Sequence, residues 1–352
     1  MRIFCTVVFS SLVAMAAHAT DVKTDIGTVT VTKMVDDLYA PWAIAFLPNG
    51  DQLITERDGD LYYFDDGKRH KVSGVPAVHA QGQGGLLDIV VSRNFANSRE
   101  VFLTYAEPSD AGGHTALAVA KLSPNGDQLT NLRVLFRQKY TSKSTHHFGS
   151  RVVEAQNGDL FLTIGDRGNG KLAQSMDHFN GKVVRVSRAG AAVIHSYGHR
   201  NPQGAALDNA GNLWTVEHGA KGGDEINKPV AGKNYGWPII SYGRNYSGTK
   251  IGEGQSREGM EQPALYWDPS IAPSGMMIYS GKLFPKWKDQ IFVGSLKFDM
   301  ISRSTTSGAT ATEVERLFQN KYERIRDIRE APDGSIWFLS VGDGAAYRIT
   351  PQ

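Results

Sequence analysis

Short runs of alternating apolar and polar residues recur along most of the chain, whereas helical periodicity is scarce. Clear examples are the segments Gly27–Val35, Glu100–Glu107, Asp159–Asp166, Asn212–Gly219 and Ser335–Thr350. A period of two residues is typical of β-strands with one buried face. Gly, Asn and Asp separate these runs at the spacing of hairpin turns. The pattern therefore predicts an all-β protein.

One combination of turn and strand repeats within this pattern. The segments "LPNGDQLITE", "AQNGDLFLTI", "DNAGNLWTVE" and "APDGSIWFLS" each join a small turn to an apolar strand that ends in a polar residue. Such repetition favours a β-propeller, in which four-stranded blades surround a channel and the polar strand ends meet at one mouth. Seven blades or a pair of β-sandwiches stay open on this pattern alone. The terminal runs "GTVTVT" and "AAYRIT" would share a blade and close the ring, which removes free sheet edges.

The N-terminus "MRIFCTVVFSSLVAMAAHAT" has the pattern of a secretory signal. Arg2 precedes an apolar run, and Ala17-His18-Ala19 places small residues at the two positions that a signal peptidase recognises. The run is too short to span a bilayer. We therefore expect residues 1–19 to be removed and residues 20–352 to form a single β-propeller domain in the periplasm, without a stable membrane anchor. A buried N-terminal strand fits this pattern less well.

Charge and cysteine content narrow the function classes. The 38 Lys and Arg residues nearly balance the 36 Asp and Glu residues, so nothing points to nucleic acid or an anionic membrane as a partner. The one cysteine, Cys5, lies within the predicted signal. The mature protein is therefore expected to have no disulfide, no thiolate chemistry and no Cys-ligated metal.

Basic residues follow or precede several of the predicted strands. Arg200 and Asn201 stand before a proline, which favours extended backbone. Lys297 follows an apolar strand, and Arg324 and Arg326 alternate in "ERIRDIRE", so that on a strand they would face the same side. Each residue alone is more often a solvated surface group. Together they would form a positive pocket for a polyanionic small molecule.

Glycines and carboxylates concentrate in "EHGAKGGDEIN", residues 217–227. Glycines allow main-chain carbonyls to approach a hard cation, and Asp224 and Glu225 would supply charge. This composition suits calcium, although the spacing is not that of an EF-hand. A Gly-rich turn with solvated acids is the alternative.

The loop "STHHFGSR" contains two adjacent histidines, His146 and His147. A loop histidine titrates near neutral pH and can accept a substrate proton, and Asp166 would orient it through the other ring nitrogen. A merely exposed histidine is the more common case. The pair would also suit a transition metal, but no third ligand stands at a familiar spacing.

Eight sequence blocks, in this order along the chain, resemble one known family: "GQGGLLDI", "HHFGSR", "TIGDRG", "YGHRNPQG", "EHGAKGGDEIN", "GKNYGWP", "SLK" and "RIRD". The chain resembles the soluble quinoprotein glucose/sorbosone dehydrogenases, and most of all the periplasmic aldose sugar dehydrogenases that use pyrroloquinoline quinone (PQQ). The resemblance covers nearly the whole mature chain. The fourth block and the pair "GGDEIN" and "GKNYGWP" are specific, whereas "TIGD" or "RIR" alone would not be.

The resemblance implies a six-bladed β-propeller with four-stranded antiparallel blades and the quinone at the channel mouth. It implies quinone contacts from Gln83, Arg200, Asn201, Tyr246, Lys297, Arg324 and Arg326. His147 matches the family's general base, four residues before Arg151. The carbonyls of Gly219 and Ala220 would hold the calcium on the quinone, and Glu225 and the Tyr235 carbonyl would hold a further calcium. Ala220 replaces the family's usual proline, which implies a less stiff turn.

These residues lead to a functional hypothesis, the oxidation of an aldose at its anomeric carbon to an aldonolactone. His147, oriented by Asp166, would take the hydroxyl proton, and Arg200 would stabilise charge on the quinone as it receives the hydride beside calcium. An external electron acceptor would reoxidise the quinol. The alternatives are a calcium-dependent lactonase-type hydrolase on a six-bladed propeller and a non-enzymatic binding module. A lactonase has no tricarboxylate to hold, so the cations argue against it.

Overall fold

The computed structural model describes residues 19–139 and 142–352. The strands within these ranges form six antiparallel sheets, which confirms the predicted six-bladed β-propeller over seven blades or paired sandwiches. The predicted signal, residues 1–19, lies outside the described residues except for Ala19. Among the helices of the described ranges, none has the length and apolar character to cross a membrane.

The first two strands of the chain are β1 (Ala19–Thr24) and β2 (Gly27–Val35), and they belong to the last blade. Blade 1 contains β3 (Pro41–Phe46), β4 (Gln52–Glu56), β5 (Leu61–Asp65) and β6 (Lys68–Lys71). Blade 2 contains β7 (Leu86–Val91), β8 (Glu100–Ser109), β9 (Gly112–Leu122) and β10 (Leu129–Arg137). Blade 3 contains β11 (Val152–Glu154), β12 (Leu160–Ile164), β13 (Lys182–Val186) and β14 (Ala192–Tyr197).

The remaining blades continue in chain order. Blade 4 contains β15 (Pro202–Leu207), β16 (Leu213–Glu217), β17 (Asp224–Asn227) and β18 (Leu265–Trp267). Blade 5 contains β19 (Pro273–Ile278), β20 (Ile291–Ser295), β21 (Ile301–Ser307) and β22 (Thr310–Leu317). Blade 6 contains β23 (Ile325–Glu330), β24 (Ile336–Ser340) and β25 (Ala345–Pro351). The helices of the described ranges are short: α1 (Phe95–Ser98) and two 3₁₀ turns, Gly170–Gln174 and Pro285–Trp287.

Blade 6 closes the ring with strands from both ends of the chain. β2 pairs with β25 in antiparallel register, with Val31 opposite Ile349, as the runs "GTVTVT" and "AAYRIT" predicted. β1 then pairs with the outer side of β2, so blade 6 has five strands. The predicted four-stranded blades are thus confirmed, and β1 is an additional strand on the outer edge of blade 6.

The apolar core is divided into six clusters, one at each boundary between neighbouring blades. The cluster between blades 1 and 2, for example, contains Trp42, Tyr105 and Phe148. Burial of such side chains stabilises the fold by roughly 25 cal/mol for each Å² of apolar surface removed from water. The blade boundaries therefore supply the stability that disulfides supply in smaller secreted domains.

The inner strand of each blade is its first in chain order, apart from the hairpin that completes blade 6. Neighbouring inner strands contact one another around the channel: β3, β7, β11, β15, β19 and β23. Because every blade has the same strand order, the residues just before these strands gather at one end of the channel. Arg151, Arg200 and Arg324 stand at such positions, and the functional candidates therefore belong to this mouth.

Candidate active site

The mouth contains a buried histidine–aspartate pair. His147, in the loop before β11, places Nδ1 2.7 Å from Oδ1 of Asp166, which follows β12. His147 has a left-handed backbone with φ of 58°, and its side chain is 13% exposed. The neighbouring His146 is exposed, and its Nδ1 lies 3.2 Å from Ser144 Oγ. Of the two adjacent histidines, His147 is the one that contacts Asp166.

Asp166 accepts hydrogen bonds on both carboxylate oxygens. The amide of Gly168 donates to Oδ1 at 2.8 Å, and the indole Nε1 of Trp237 donates to Oδ2 at 2.8 Å. Burial would raise the pKa of Asp166, but the hydrogen bond and charge of His147, the Gly168 amide and the positive charge of Arg200 together lower it. An ionised carboxylate only accepts hydrogen bonds, so His147 carries its proton on Nδ1 and leaves Nε2 unprotonated.

The environment of His147 favours the neutral imidazole. Burial lowers the pKa of His147, and the charges of Arg200 and His146 lower it further, while Asp166 opposes them. The net shift is downward from 6.5. His147 is therefore a proton acceptor at neutral pH rather than a proton donor.

Arg200 lies beside this pair on a buried support. Its amide donates to Glu217 Oε2 at 2.7 Å, and Glu217 Oε1 is 2.8 Å from Nδ1 of the buried His199. The guanidinium donates to the His218 carbonyl at 3.3 Å and lies 5.3 Å from the Trp237 ring. Its Nε is buried without a hydrogen-bond partner in the described part of the chain. Arg200 therefore has spare donor capacity at the mouth.

Arg326, in β23, is a second cation of the same mouth. Its guanidinium donates to Gln203 Oε1 at 3.0 Å and lies 5.3 Å from the Trp42 ring. Burial lowers the pKa of Arg326, and repulsion from Arg151, Arg324 and Arg57 lowers it further, to about 9. The protein thus holds like charges together at a cost in stability, which is typical of a site that binds an anion.

Lys297 and Arg324 line one cavity of about 510 Å³, together with Lys321, Asp299, Glu323 and Asp343. The alternation predicted for "ERIRDIRE" is wrong, because Arg324 precedes β23 and has a left-handed φ of 56°. The Arg324 amide donates to Asp299 Oδ1 at 2.8 Å, and its guanidinium donates to the Leu296 carbonyl at 3.1 Å. Arg324 nevertheless comes close enough to Arg326 to repel it.

His218, which the motif reasoning did not select, links the two halves of the mouth. Burial and the charges of Arg200, Arg326 and His147 lower the pKa of His218 to about 3. Arg57 was missed in the same way, although it repels Arg326. Both residues directly follow the second strand of a blade, β16 or β4, one position beyond the glutamate that ends the repeated turn–strand segment. The repeat therefore indicates the strand end at which they lie, but not the residues themselves.

The cations of the mouth lack carboxylate partners. Within the described residues, Arg200, Lys297, Arg324 and Arg326 bond carbonyls or an amide, or lie against aromatic rings, and none forms an ion pair. Arginines buried for structural reasons are usually paired with acids. Arg200, which is buried, and Arg326, which is half-buried, therefore define a site with unsatisfied positive charge, and the unpaired Lys297 and Arg324 are exposed.

The other predicted quinone contacts differ in how the structure places them. Gln83 Oε1 accepts a hydrogen bond from the His147 amide at 2.8 Å. Asn201 is buried, and its Oδ1 accepts from the Gly149 amide at 3.1 Å, which ties it to the His147 loop. Tyr246 is 76% exposed and makes no hydrogen bond or ring contact with the described residues. The structure thus joins Gln83 and Asn201 to the mouth, while the exposed Tyr246 lies two residues from Arg244, which pairs with Lys221 in the turn after β16.

Gly219 and Ala220 begin the tight turn after β16. The Gly219 amide donates to Asp224 Oδ1 at 2.8 Å. A Cβ at Gly219 would lie 2.3 Å from the Gly223 carbonyl oxygen and 2.4 Å from that of Gly222, so the position requires glycine. The turn therefore brings several main-chain oxygens close together, which suits a hard cation.

Glu225 lies opposite Glu217 on the paired strands β16 and β17. Burial and the charge of Glu217 raise the pKa of Glu225 to about 8. Asn227 donates through Nδ2 to both carboxylates, at 2.9 and 3.2 Å, and its Oδ1 is buried without a partner among the described residues. Tyr235, the other predicted ligand, stacks on His199 at 4.8 Å.

This acidic pair and the orphaned amide oxygen fit a cation, since a cation would compensate both. The described ranges contain no group of three or more His, Cys, Asp or Glu placed to hold a metal ion. Calcium at either position would therefore depend on main-chain oxygens as well as side chains.

Comparisons with known proteins agree with this architecture. The family model "Glucose / Sorbosone dehydrogenase" matches residues 38–348. The aldose sugar dehydrogenase of Escherichia coli K12 is 42% identical over 347 residues, covering 92% of this chain and 94% of that protein. The quinoprotein glucose dehydrogenase B of Acinetobacter calcoaceticus is 25% identical over 404 residues, covering 87% of this chain and 84% of that protein.

A solved structure extends the likeness to three dimensions. The crystal structure of the soluble aldose sugar dehydrogenase of Escherichia coli, in the apo-form, superposes with a TM-score of 0.88 at 40% identity, covering 92% of this chain and all of that chain. Fold and site thus define a propeller oxidoreductase that acts on CH–OH groups. The chain belongs to the glucose/sorbosone dehydrogenase family.

Proposed function

We propose that this protein is a periplasmic aldose dehydrogenase that uses PQQ and calcium to oxidise the anomeric carbon to an aldonolactone. The observation that carries the proposal is the set of unpaired cations, Arg200, Lys297, Arg324 and Arg326, beside the His147–Asp166 pair. One relative is named a quinoprotein, which supports the choice of cofactor. The name of the Escherichia coli relative supports an aldose substrate.

The chemistry of PQQ matches what the mouth lacks. PQQ is a planar tricarboxylate, and guanidinium groups bind planar carboxylates through paired hydrogen bonds. Arg200 offers a buried Nε without a partner, and Arg326 is held near other cations at a cost that a bound polyanion would offset. The residues proposed to hold the quinone are Gln83, Arg200, Asn201, Lys297, Arg324 and Arg326.

Calcium is proposed at two positions. The carbonyls of Gly219 and Ala220 would hold the ion that contacts the quinone, and the tight turn after β16 brings main-chain oxygens together there. Glu225 and the Tyr235 carbonyl would hold a further ion, which the facing carboxylates and the orphaned Asn227 oxygen support. When bound, the quinone supplies the hydride acceptor, and calcium supplies the Lewis acid that polarises its carbonyl.

The chain's own groups move the proton. His147 Nε2 accepts the proton of the anomeric hydroxyl while the hydrogen on that carbon leaves with its electron pair, so the sugar becomes a lactone. Asp166 holds Nδ1–H and stabilises the imidazolium that forms. Arg200 places positive charge beside His147, which keeps its imidazole neutral before the reaction and stabilises negative charge that develops at the mouth.

Export and reoxidation complete the proposal. Residues 1–19 would act as a cleaved signal that directs the enzyme to the periplasm. A separate electron acceptor would return the cofactor to its oxidised form after each turnover.

A panel of aldoses would test this function. The purified protein would be supplied with PQQ, calcium and an artificial electron acceptor, and dye reduction would be followed. We expect reduction that requires both an aldose and PQQ and that falls when calcium is chelated. Lactone hydrolysis without PQQ would instead identify the lactonase. Glycan binding without redox activity in the loaded protein would identify a binding module.

A further inference from the structure

Within the block "GKNYGWP", residues 232–238, only the Tyr235 carbonyl has been given a role so far. In the structure its tryptophan, Trp237, lies half-buried between the two parts of the site. The indole Nε1 donates to Asp166 Oδ2 at 2.8 Å, and the ring lies 5.3 Å from the Arg200 guanidinium. Trp237 therefore contacts both the partner of the general base and a cation of the mouth.

The indole is a distinct member of the Asp166 environment. Oδ1 receives two hydrogen bonds, from His147 Nδ1 at 2.7 Å and from the Gly168 amide at 2.8 Å. Oδ2 receives only that of Trp237 among the described residues. Because Asp166 is 2% exposed, water cannot readily replace this donor. Loss of the indole N–H would leave a buried carboxylate oxygen without a partner.

The main-chain amide and carbonyl of Trp237 are both hydrogen-bonded. Its amide donates to the Gly198 carbonyl at 2.9 Å, and its carbonyl accepts from Gln174 Nε2 at 2.7 Å. Gln174 lies in the 3₁₀ turn of the same loop that carries Asp166, and it also exchanges hydrogen bonds with Asn234. The block is thus a brace that connects the Asp166 loop to the segment before β15.

We propose that Trp237 is a positioning residue, whose indole N–H fixes the Asp166 carboxylate so that Oδ1 faces His147 Nδ1 and Nε2 remains the proton acceptor. The inference rests on the proposed role of His147 as the base. With both oxygens bonded, the carboxylate cannot rotate away from the imidazole. The imidazole is then held in one tautomer and one orientation, as proton transfer requires.

The charged groups around the pair set the direction of the expected shift. Arg200, His146 and His218 face His147, and Asp166 is the carboxylate that opposes them. The hydrogen bond to Asp166 raises the pKa of His147. Without the indole, the carboxylate would be free to turn away from the imidazole, this hydrogen bond would weaken, and the pKa of His147 would fall further.

The variant W237F removes the N–H and keeps an aromatic ring near Arg200. We expect a turnover about tenfold to a hundredfold lower, with KM for the sugar nearly unchanged. The acid limb of the kcat/KM profile should move to lower pH, by up to about one pH unit. The matched control is W214F. Trp214 also donates to a carboxylate, Asp208 Oδ2 at 3.1 Å, but it lies near the start of β16, at the end away from the mouth. W214F should leave the limb where it is in the wild type.

A second readout needs neither the quinone nor a variant that folds. In the ¹⁵N NMR spectrum of the quinone-free wild type, the Trp237 indole resonance should titrate together with the ring nitrogens of His147, since both groups share one carboxylate. An indole resonance that does not respond while His147 titrates would overturn the proposal.

The outcomes separate this inference from the proposed function. If H147N loses turnover but W237F keeps the wild-type rate and pH limb, the positioning role of Trp237 is wrong and the role of His147 stands. If H147N itself keeps normal turnover with PQQ bound, the proposed function fails, whereas the NMR titration still reports whether Trp237 and His147 share Asp166.

Discussion

Two groups of charged residues lie along the same channel, and they differ in how their charge is compensated. In the first group, Arg151 is 2.8 Å from Asp88 and 3.1 Å from Asp327. Arg329 bonds the same two carboxylates, at 3.0 and 3.2 Å. Two cations thus meet two anions, and Arg151, Asp88 and Asp327 are fully buried. At the mouth, in contrast, Arg200 and Arg326 have no acidic partner in the described residues.

The difference separates structure from function. The paired cluster links four blades, because Asp88 belongs to β7, Arg151 precedes β11, Asp327 belongs to β23, and the Ile44 amide of β3 donates to Asp327 at 3.1 Å. Such a closed network fixes the relative positions of the inner strands. The mouth instead retains repulsion between cations, which no structural role requires. Cations that are paired with carboxylates therefore belong to the scaffold, and cations without such partners belong to the binding site.

The largest expected effect is on catalysis alone. H147N should lower turnover by about 10²–10⁴-fold, since the variant has no group at this position that accepts the proton. Steady-state dye reduction with PQQ bound would measure it, and circular dichroism would check the fold. H146N is the matched control and should change turnover little, because His146 is exposed and bonds Ser144. A reversed pattern would assign the base to His146.

The paired cluster should respond in stability rather than in chemistry. R151M would leave Asp88 and Asp327 with only Arg329, and we expect a loss of about 3–5 kcal/mol in the free energy of unfolding. Urea denaturation of the quinone-free protein would measure this. If R326M, at the mouth, were destabilised as strongly as R151M, the distinction between the paired cluster and the mouth cations would be wrong.

A mouth cation should respond in affinity. R326Q is expected to weaken PQQ binding roughly tenfold to a hundredfold, in line with the loss of a charge-assisted hydrogen bond. The quinone-free variant should be at least as stable as the wild type, because burial and like charges already disfavour the charged Arg326. Titration with PQQ, followed by fluorescence, would measure the affinity. An unchanged dissociation constant would remove Arg326 from the site.

The smallest expected effect is a shift of the acid limb in the pH profile of kcat/KM. Because the pKa of His147 lies below 6.5 in the folded protein, the neutral base persists as the pH falls through 6.5, and kcat/KM should decline only below it. The same shift means that the unfolded chain binds more protons at acidic pH, so the His147 contribution destabilises the fold as the pH falls through 6.5. The pH profile of kcat/KM would test the limb. A midpoint above 6.5 would contradict the environment described for His147.

The sequence allowed much of the scaffold to be predicted, because its information is local. The Gly-containing turns and alternating strands repeat in blades 1, 3, 4 and 6, and the polar residues at or after their ends mark the channel mouth. The same regularity failed where local geometry departs from it. Arg324 adopts a left-handed backbone before its strand. β1 is an additional strand of blade 6 that the repeat does not predict.

Contacts between distant segments were the part that sequence reasoning could not reach. Trp237 and Asp166 are 71 residues apart, and nothing in either motif indicates that an indole would bond that carboxylate. The exposure of Tyr246 depends on how the long loop between β17 and β18 folds, which alternation does not describe. Positions within a repeat are predictable, whereas the connections that cross between blades depend on the assembled fold.

The pairing of β2 with β25 has a consequence for how the molecule is made. β25, which completes the ring, is the last described strand in chain order, and its partner β2 is the second. Contacts between such distant segments form slowly, because a very long loop must close before they are gained. Until β2 and β25 have paired, the ring is open and a sheet edge is unpaired on each side of the gap. Folding to the native state therefore has to wait for the arrival of the final strand.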